Sequence, residues 1–173
     1  PDRQQTEALL ESGCIAIAYE TITQKVNGRM TTPLLAPMSE VAGRLSIQAG
    51  AHCLEKTQKG RGILLGGIPG VDRAHVVILG GGIVGSNALK IAKGMGSKVT
   101  IMDRSVDCLR ALDNEHGSAV NTIFASPRTI AEHIQTADLV VGAVYIPGAS
   151  APRLITRTML PTMKPGSVLV DVS

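Results

Sequence analysis

The chain has 173 residues, enough for one domain with a buried core or for one domain plus an appendage. An apolar fraction of 44% and a charged fraction of 18% are those of an ordinary globular protein, and with Tyr19, Phe124 and Tyr145 as the sole aromatics the core has to be aliphatic. The formal charge of +3 is dispersed, no apolar run reaches bilayer length and no signal-peptide pattern opens the chain, so neither nucleic acid nor membrane is an expected partner and the reading is cytoplasmic. Cys14, Cys53 and Cys108 are odd in number and lack a C-x-x-C spacing; they read as reduced, mostly buried thiols, with no metal site. Pro1 stands without a Met and Ser173 follows directly on a strand-like run, so a piece of a longer protein is expected.

In chain order, residues 4–11 form a helical pattern that Ser12-Gly13 can stop. Residues 14–22 read as a short buried strand, and the polar stretch 23–32, with Asn27-Gly28 at its centre, as a hairpin or solvent loop. A long helix is expected over 39–56, with Ser39 as N-cap, Glu40 in the first turn, a Glu40–Arg44 pair, and an apolar stripe of Val41, Leu45, Gln48 or Ala49, His52 and Cys53. Gly43, Ala49, Gly50 and Ala51 leave its other faces slim enough for a second backbone to come close. His52 reads as a solvated or hydrogen-bonded helix residue, not a catalytic one. The glycine-rich stretch 59–70 is a connector.

From His75 the pattern alternates strand and helix five times. Strands are expected over 75–79, 98–102, 121–124, 138–144 and 167–172, with helices over 83–95, 106–115, 128–136 and 156–163. Ala88, Ile91, Ala92 and Met95 mark the sheet-facing stripe of the first of these helices, Leu109 and Leu112 that of the second, and Ser126-Pro127 an N-cap followed by proline at the first helical position. Such alternation requires right-handed crossovers and a parallel sheet, an α/β, Rossmann-type doubly wound fold with strand order 3-2-1-4-5.

The first turn of that unit carries Gly80, Gly82 and Gly85 in the spacing G-x-G-x-x-G. The three glycines serve a tight turn, close approach of a pyrophosphate to the backbone, and helix-to-strand packing, while the following helix offers its unsatisfied N–H groups. Asp103 ends the next strand twenty-three positions after Gly80, where a carboxylate can accept ribose hydroxyls. Ligands in such sheets lie beyond the carboxyl ends of the strands, which gathers Gly80 to Gly85, Asp103, Ser126, Val144-Tyr145 and Val172-Ser173 at one edge.

Four stretches, Pro37 to Arg44, Gly66 to Val71, Gly142 to Pro152 and Met163 to Val172, resemble bacterial L-alanine dehydrogenase, and the resemblance covers essentially the whole chain. It implies oxidation of L-alanine to pyruvate and ammonia with NAD, and NAD contacts at Ser39, Ile83, Val84, Asp103, Val144, Tyr145 and Val172. A carboxylate at Asp103 repels the 2′-phosphate of NADP, which makes NAD the expected cofactor. Where relatives carry a basic residue and a serine this chain has Cys108 and Ala125, which predicts altered contacts near the adenosine. The family's catalytic His and Asp fall outside residues 1–173, so this chain by itself is expected to bind NAD without turnover. Residues 1–36 would belong to a substrate domain and 37–173 to the NAD-binding domain, in a homo-oligomer, hexameric by resemblance. Two other readings stay open: the nucleotide-binding domain of a proton-translocating transhydrogenase, and a nucleotide-sensing module without chemistry.

Overall fold

The computed structural model describes residues 2–26, 28–146 and 151–172. Helix α1 (Arg3–Ser12) starts on the Asp2 carboxylate, which accepts from the Gln4 and Gln5 N–H groups, and ends on Gly13 in the left-handed conformation, the stop its sequence promised. It buries none of its side chains. The strand expected over 14–22 is absent: the segment is irregular apart from one 3₁₀ turn, with Ile15 92% and Ile17 75% exposed. Its apolar pattern finds no neighbouring ladder among the described residues, and a lone strand leaves its backbone groups unpaired. The hairpin did form: β1 (Gln24–Val26) pairs antiparallel with β2 (Arg29–Thr31), and Gly28 takes the φ of +80° that the turn demands; Asn27 lies outside the described residues.

Helix α2 (Ala36–Cys53) begins earlier than Ser39 and ends earlier than Lys56. Pro37 fits the first turn, where its missing N–H is no loss, so Leu35 is the cap residue and Ser39 sits inside the helix, donating its N–H to the Leu35 carbonyl at 3.0 Å. The buried face is also not the bulky stripe. Val41 and Leu45 are more than half exposed, His52 and Cys53 are exposed, and α2 instead buries Gly43, Ser46, Ile47 and Gly50. The small residues decide this: a Cβ on Gly43 would collide with the Val84 carbonyl oxygen, and one on Gly50 would sit 2.6 Å from the Leu139 methyls. The close approach expected at the slim faces therefore outweighs the bulk of the stripe, and Ile47 and Leu54 complete the contact with no exposure. Arg44 turns to the Asn87 side chain at 3.1 Å rather than to Glu40.

The parallel sheet follows: β3 (His75–Leu79), α3 (Ile83–Gly94), β4 (Lys98–Asp103), α4 (Val106–His116), β5 (Val120–Phe124), α5 (Pro127–Ile134), β6 (Leu139–Gly142) and β7 (Val168–Asp171). The spatial order β5-β4-β3-β6-β7 is the 3-2-1-4-5 order read from the pattern, all parallel. Every residue of β3 is buried because its two faces meet two cores. Val76 and Ile78 join Ile47, Leu54, Ala88, Leu89 and Leu112 under α2, α3 and α4; Val77 and Leu79 join Ile130 and Ile134 of α5 on the other side.

Two local expectations fail. Met95 is 46% exposed, since α3 turns Asn87, Ala88, Leu89 and Ala92 to the core instead. The helix expected over 156–163 is a single 3₁₀ turn, Leu160–Thr162, because Pro161 would remove an interior helical N–H and the Thr-rich flanks favour turns. Leu154, Ile155, Met159 and Met163 still cover the α5 side of the sheet. The thiols are not mostly buried: Cys14 and Cys53 are exposed and Cys108 is half-buried.

Candidate functional site

The site lies where the loops after β3 and β6 part to opposite sides of the sheet, at its carboxyl edge. Gly80 leaves β3 with φ +107°, a conformation for glycine, and donates its N–H to the Met102 carbonyl at 2.7 Å. A Cβ there would lie 2.6 Å from the Ala143 carbonyl oxygen and 3.1 Å from Val144 Cγ2, so the turn and the β6 loop touch backbone to backbone. Gly85 lies against Gly80 itself, with the Gly80 carbonyl oxygen where its Cβ would be. Gly82 differs: nothing comes within 4 Å of its Cβ position. That open space lies beside the first turn of α3, whose N-terminal amides have no helical acceptor, an arrangement chemically suited to an anion.

Asp103 ends β4 across from this turn. Its Oδ2 accepts from the Gly81 N–H at 2.6 Å and its Oδ1 from the Ser105 N–H at 2.7 Å. Two backbone donors fix the carboxylate and leave a lone pair on each oxygen for hydroxyl donors. Cys108 stands behind it: burial first, and the Asp103 charge second, push the thiol up from its ordinary value, so it stays protonated and donates to the Gly81 carbonyl at 3.3 Å. Ser86 Oγ donates to the same carbonyl at 3.0 Å.

Among the other expected residues, Ile83 is exposed and Val84 half-buried in the first turn of α3, whereas Val144 is half-buried and Tyr145 52% exposed on the loop after β6. Val172 follows β7, its N–H bonded to the Gly142 carbonyl at 2.9 Å, and packs on the core. Ser39 is half-buried and lies one helical turn before Gly43, the residue at which α2 meets α3, and it caps nothing. Ser126 caps α5 as expected, in a reciprocal box with Thr129, and this engages its hydroxyl at the cap. Residues 147–150 and 173, part of the expected edge, lie outside the described residues. Gly81, Ser86 and Ser105 were not singled out in the sequence; Ser105 could have been, as the polar residue just before the helical pattern that opens at Val106.

Among the described residues, no helix is long and apolar enough to cross a membrane and no group of three His, Cys, Asp or Glu could hold a metal.

Comparison with known proteins agrees with this geometry. A curated alanine dehydrogenase of Halomonas elongata is 54% identical over 168 residues, which are 97% of this chain and 44% of that protein. The solved structure of an L-alanine dehydrogenase superposes with a TM-score of 0.87 at 48% identity, covering 98% of this chain and 46% of the other. A transhydrogenase from Sinorhizobium meliloti is more distant, with a TM-score of 0.66 at 27% identity over 78% of this chain and 40% of its own. The chain thus spans a little under half the length of the alanine dehydrogenases it matches. The family described as alanine dehydrogenase/PNT, C-terminal domain, matches residues 46–173, and the chain belongs to it.

Proposed function

We propose that this chain is the NAD-binding part of an alanine dehydrogenase, which oxidises L-alanine to pyruvate and ammonia. One observation carries the reading: at 54% identity to an alanine dehydrogenase, the chain keeps a glycine turn with open space at Gly82 and a fixed carboxylate at Asp103. The residues suit the cofactor. The Gly82 to Gly85 turn would take the pyrophosphate, Asp103 the adenosine ribose, and Ser39, Ile83, Val84, Val144, Tyr145 and Val172 the remaining wall. When bound, NAD supplies the acceptor for the hydride that leaves the α carbon of alanine. The work of this chain is to bind and orient: α3 stabilises negative charge with its N-terminal amides, Asp103 excludes a 2′-phosphate, and the apolar Val144 and Val172 limit water around the bound rings. Proton transfer by the family's His and Asp is assigned to groups outside residues 1–173.

Residues 1–36 are proposed as part of a substrate domain, in keeping with α1 burying nothing and β1-β2 forming a sheet of its own. A cytoplasmic homo-oligomer is the matching assembly, supported by the exposed Met38, Val41 and Leu45 on α2. Alanine-dependent NADH formation by the full-length parent protein tests the activity. Hydride exchange between NADH and an NADP analogue without alanine oxidation would replace this reading with the transhydrogenase one.

A further inference from the structure

Four hydrogen bonds close a ring around the ribose carboxylate. The Gly81 N–H donates to Asp103 Oδ2, the Ser105 N–H to Asp103 Oδ1, the Cys108 N–H to Ser105 Oγ at 3.2 Å, and the Cys108 thiol back to the Gly81 carbonyl. The thiol also fills the space beside Gly81, 2.6 Å from where a Cβ would stand. We infer that Cys108 is a positioning residue for the adenosine half of the dinucleotide: its thiol fixes the peptide joining Gly81 to Gly82, while Asp103 fixes the peptide before it.

The argument is one of backbone freedom. Glycine has the widest φ/ψ range of any residue, so an unrestrained Gly81 would let the loop sample many turns. Here the peptides on both sides of it are held, one by its N–H on Asp103 and the other by its carbonyl under Cys108 and Ser86. The peptide bonds of the described residues are trans, so fixing the Gly81 carbonyl also fixes the Gly82 N–H, which points the opposite way. One thiol thereby ties the ribose acceptor to the first phosphate donor, and the loop enters binding already ordered.

The inference rests on the reading that Asp103 takes the adenosine ribose, and the experiment separates the two. Wild-type protein and the variants Cys108→Ala, Cys108→Ser, Ser86→Ala and Asp103→Ala are titrated calorimetrically with NAD and with ADP-ribose, with thermal denaturation of each. Cys108→Ala should weaken both ligands about three- to tenfold, the value of one hydrogen bond. Cys108→Ser, which restores a donor, should recover to within about twofold of wild type. Ser86→Ala removes the other donor to the same carbonyl from outside α4 and should weaken both ligands as well, so the inference stays testable if Cys108→Ala folds poorly. Wild-type affinity in Cys108→Ala, equal losses in the Ala and Ser variants, or a loss for NAD without one for ADP-ribose would each overturn the role of Cys108 while leaving Asp103 in place. Unchanged NAD affinity in Asp103→Ala would overturn the ribose assignment and the inference with it.

Discussion

The two edges of the parallel sheet solve opposite problems. At the amino edge, Asp138 is 2% exposed, accepts from Lys164 Nζ at 2.9 Å and the His75 N–H at 2.7 Å, and forms an ion pair with Arg61 Nε at 3.1 Å. The His75 ring reaches Thr100 Oγ1 at 2.9 Å and Thr136 Oγ1 at 3.2 Å. These groups answer one another and pin together the connector, β3, β6 and the turn before β7, while Ser97 Oγ before β4 and His116 Nε2 before β5 are buried without a hydrogen-bond partner among the described residues. At the carboxyl edge two sets of polar groups are not used up: Asp103 keeps a lone pair on each oxygen, and the first turn of α3 keeps its amides. One fold closes one end for stability and leaves the other open for a ligand.

Substitutions at the two ends should therefore separate stability from binding. The largest effect is expected at the closed edge. Asp138→Ala strands Arg61, Lys164 and the His75 N–H and should cost about 3–5 kcal/mol of unfolding free energy, measurable by urea denaturation. Asp103→Ala should weaken NAD by about 1.5–3 kcal/mol, roughly 10- to 150-fold, and narrow the preference over NADP. Its loss of stability should be smaller than that of Asp138→Ala; a larger one would break the contrast. Gly85→Ala forces a methyl onto the Gly80 carbonyl and should cost about 1–3 kcal/mol of stability together with NAD affinity.

The smallest effect is one of pH. Burial, above all, holds the His75 ring below its ordinary value, against the opposing bond with the Thr136 backbone. The unfolded chain then binds the proton more readily than the folded one. The stability contributed by the neutral ring is present above about pH 6.5 and is lost as the pH falls below it. Thermal melts of wild type and His75→Gln through that range should show a steeper decline for the wild type.

Strand order and the glycine turn were legible because parallel strands advertise themselves: β3 and β6 are nearly continuous apolar runs, and Gly80, Gly82 and Gly85 stand at fixed spacing. The N-cap at Ser126 was equally plain. Periodicity misled where packing prefers small residues. On α2 periodicity marked the bulky stripe of Val41 and Leu45, yet contact with the Val84 carbonyl and the Leu139 methyls buries Gly43 and Gly50, on the slim face the sequence also marked. Residues 14–22 failed for another reason: a strand is a property of its neighbours, and the apolar pattern says nothing about whether one is present. The ring through Cys108 was hidden because each of its four bonds uses a backbone N–H or C=O group, which residue identity alone does not display.

The meeting of Gly43 with Val84 has a mechanical consequence. Two helices in contact at backbone distance slide poorly, since every small shift brings atoms into collision. Helix α2 and the first turn of α3 are thus one stiff piece, led into by the hydrogen-bonded turn at residues 32–35. Residues 2–26 and 28–31 join the sheet domain through a helix anchored to the first turn of α3. A closing motion of that segment would take its bearing from the first turn of α3, the same turn that is proposed to meet the cofactor.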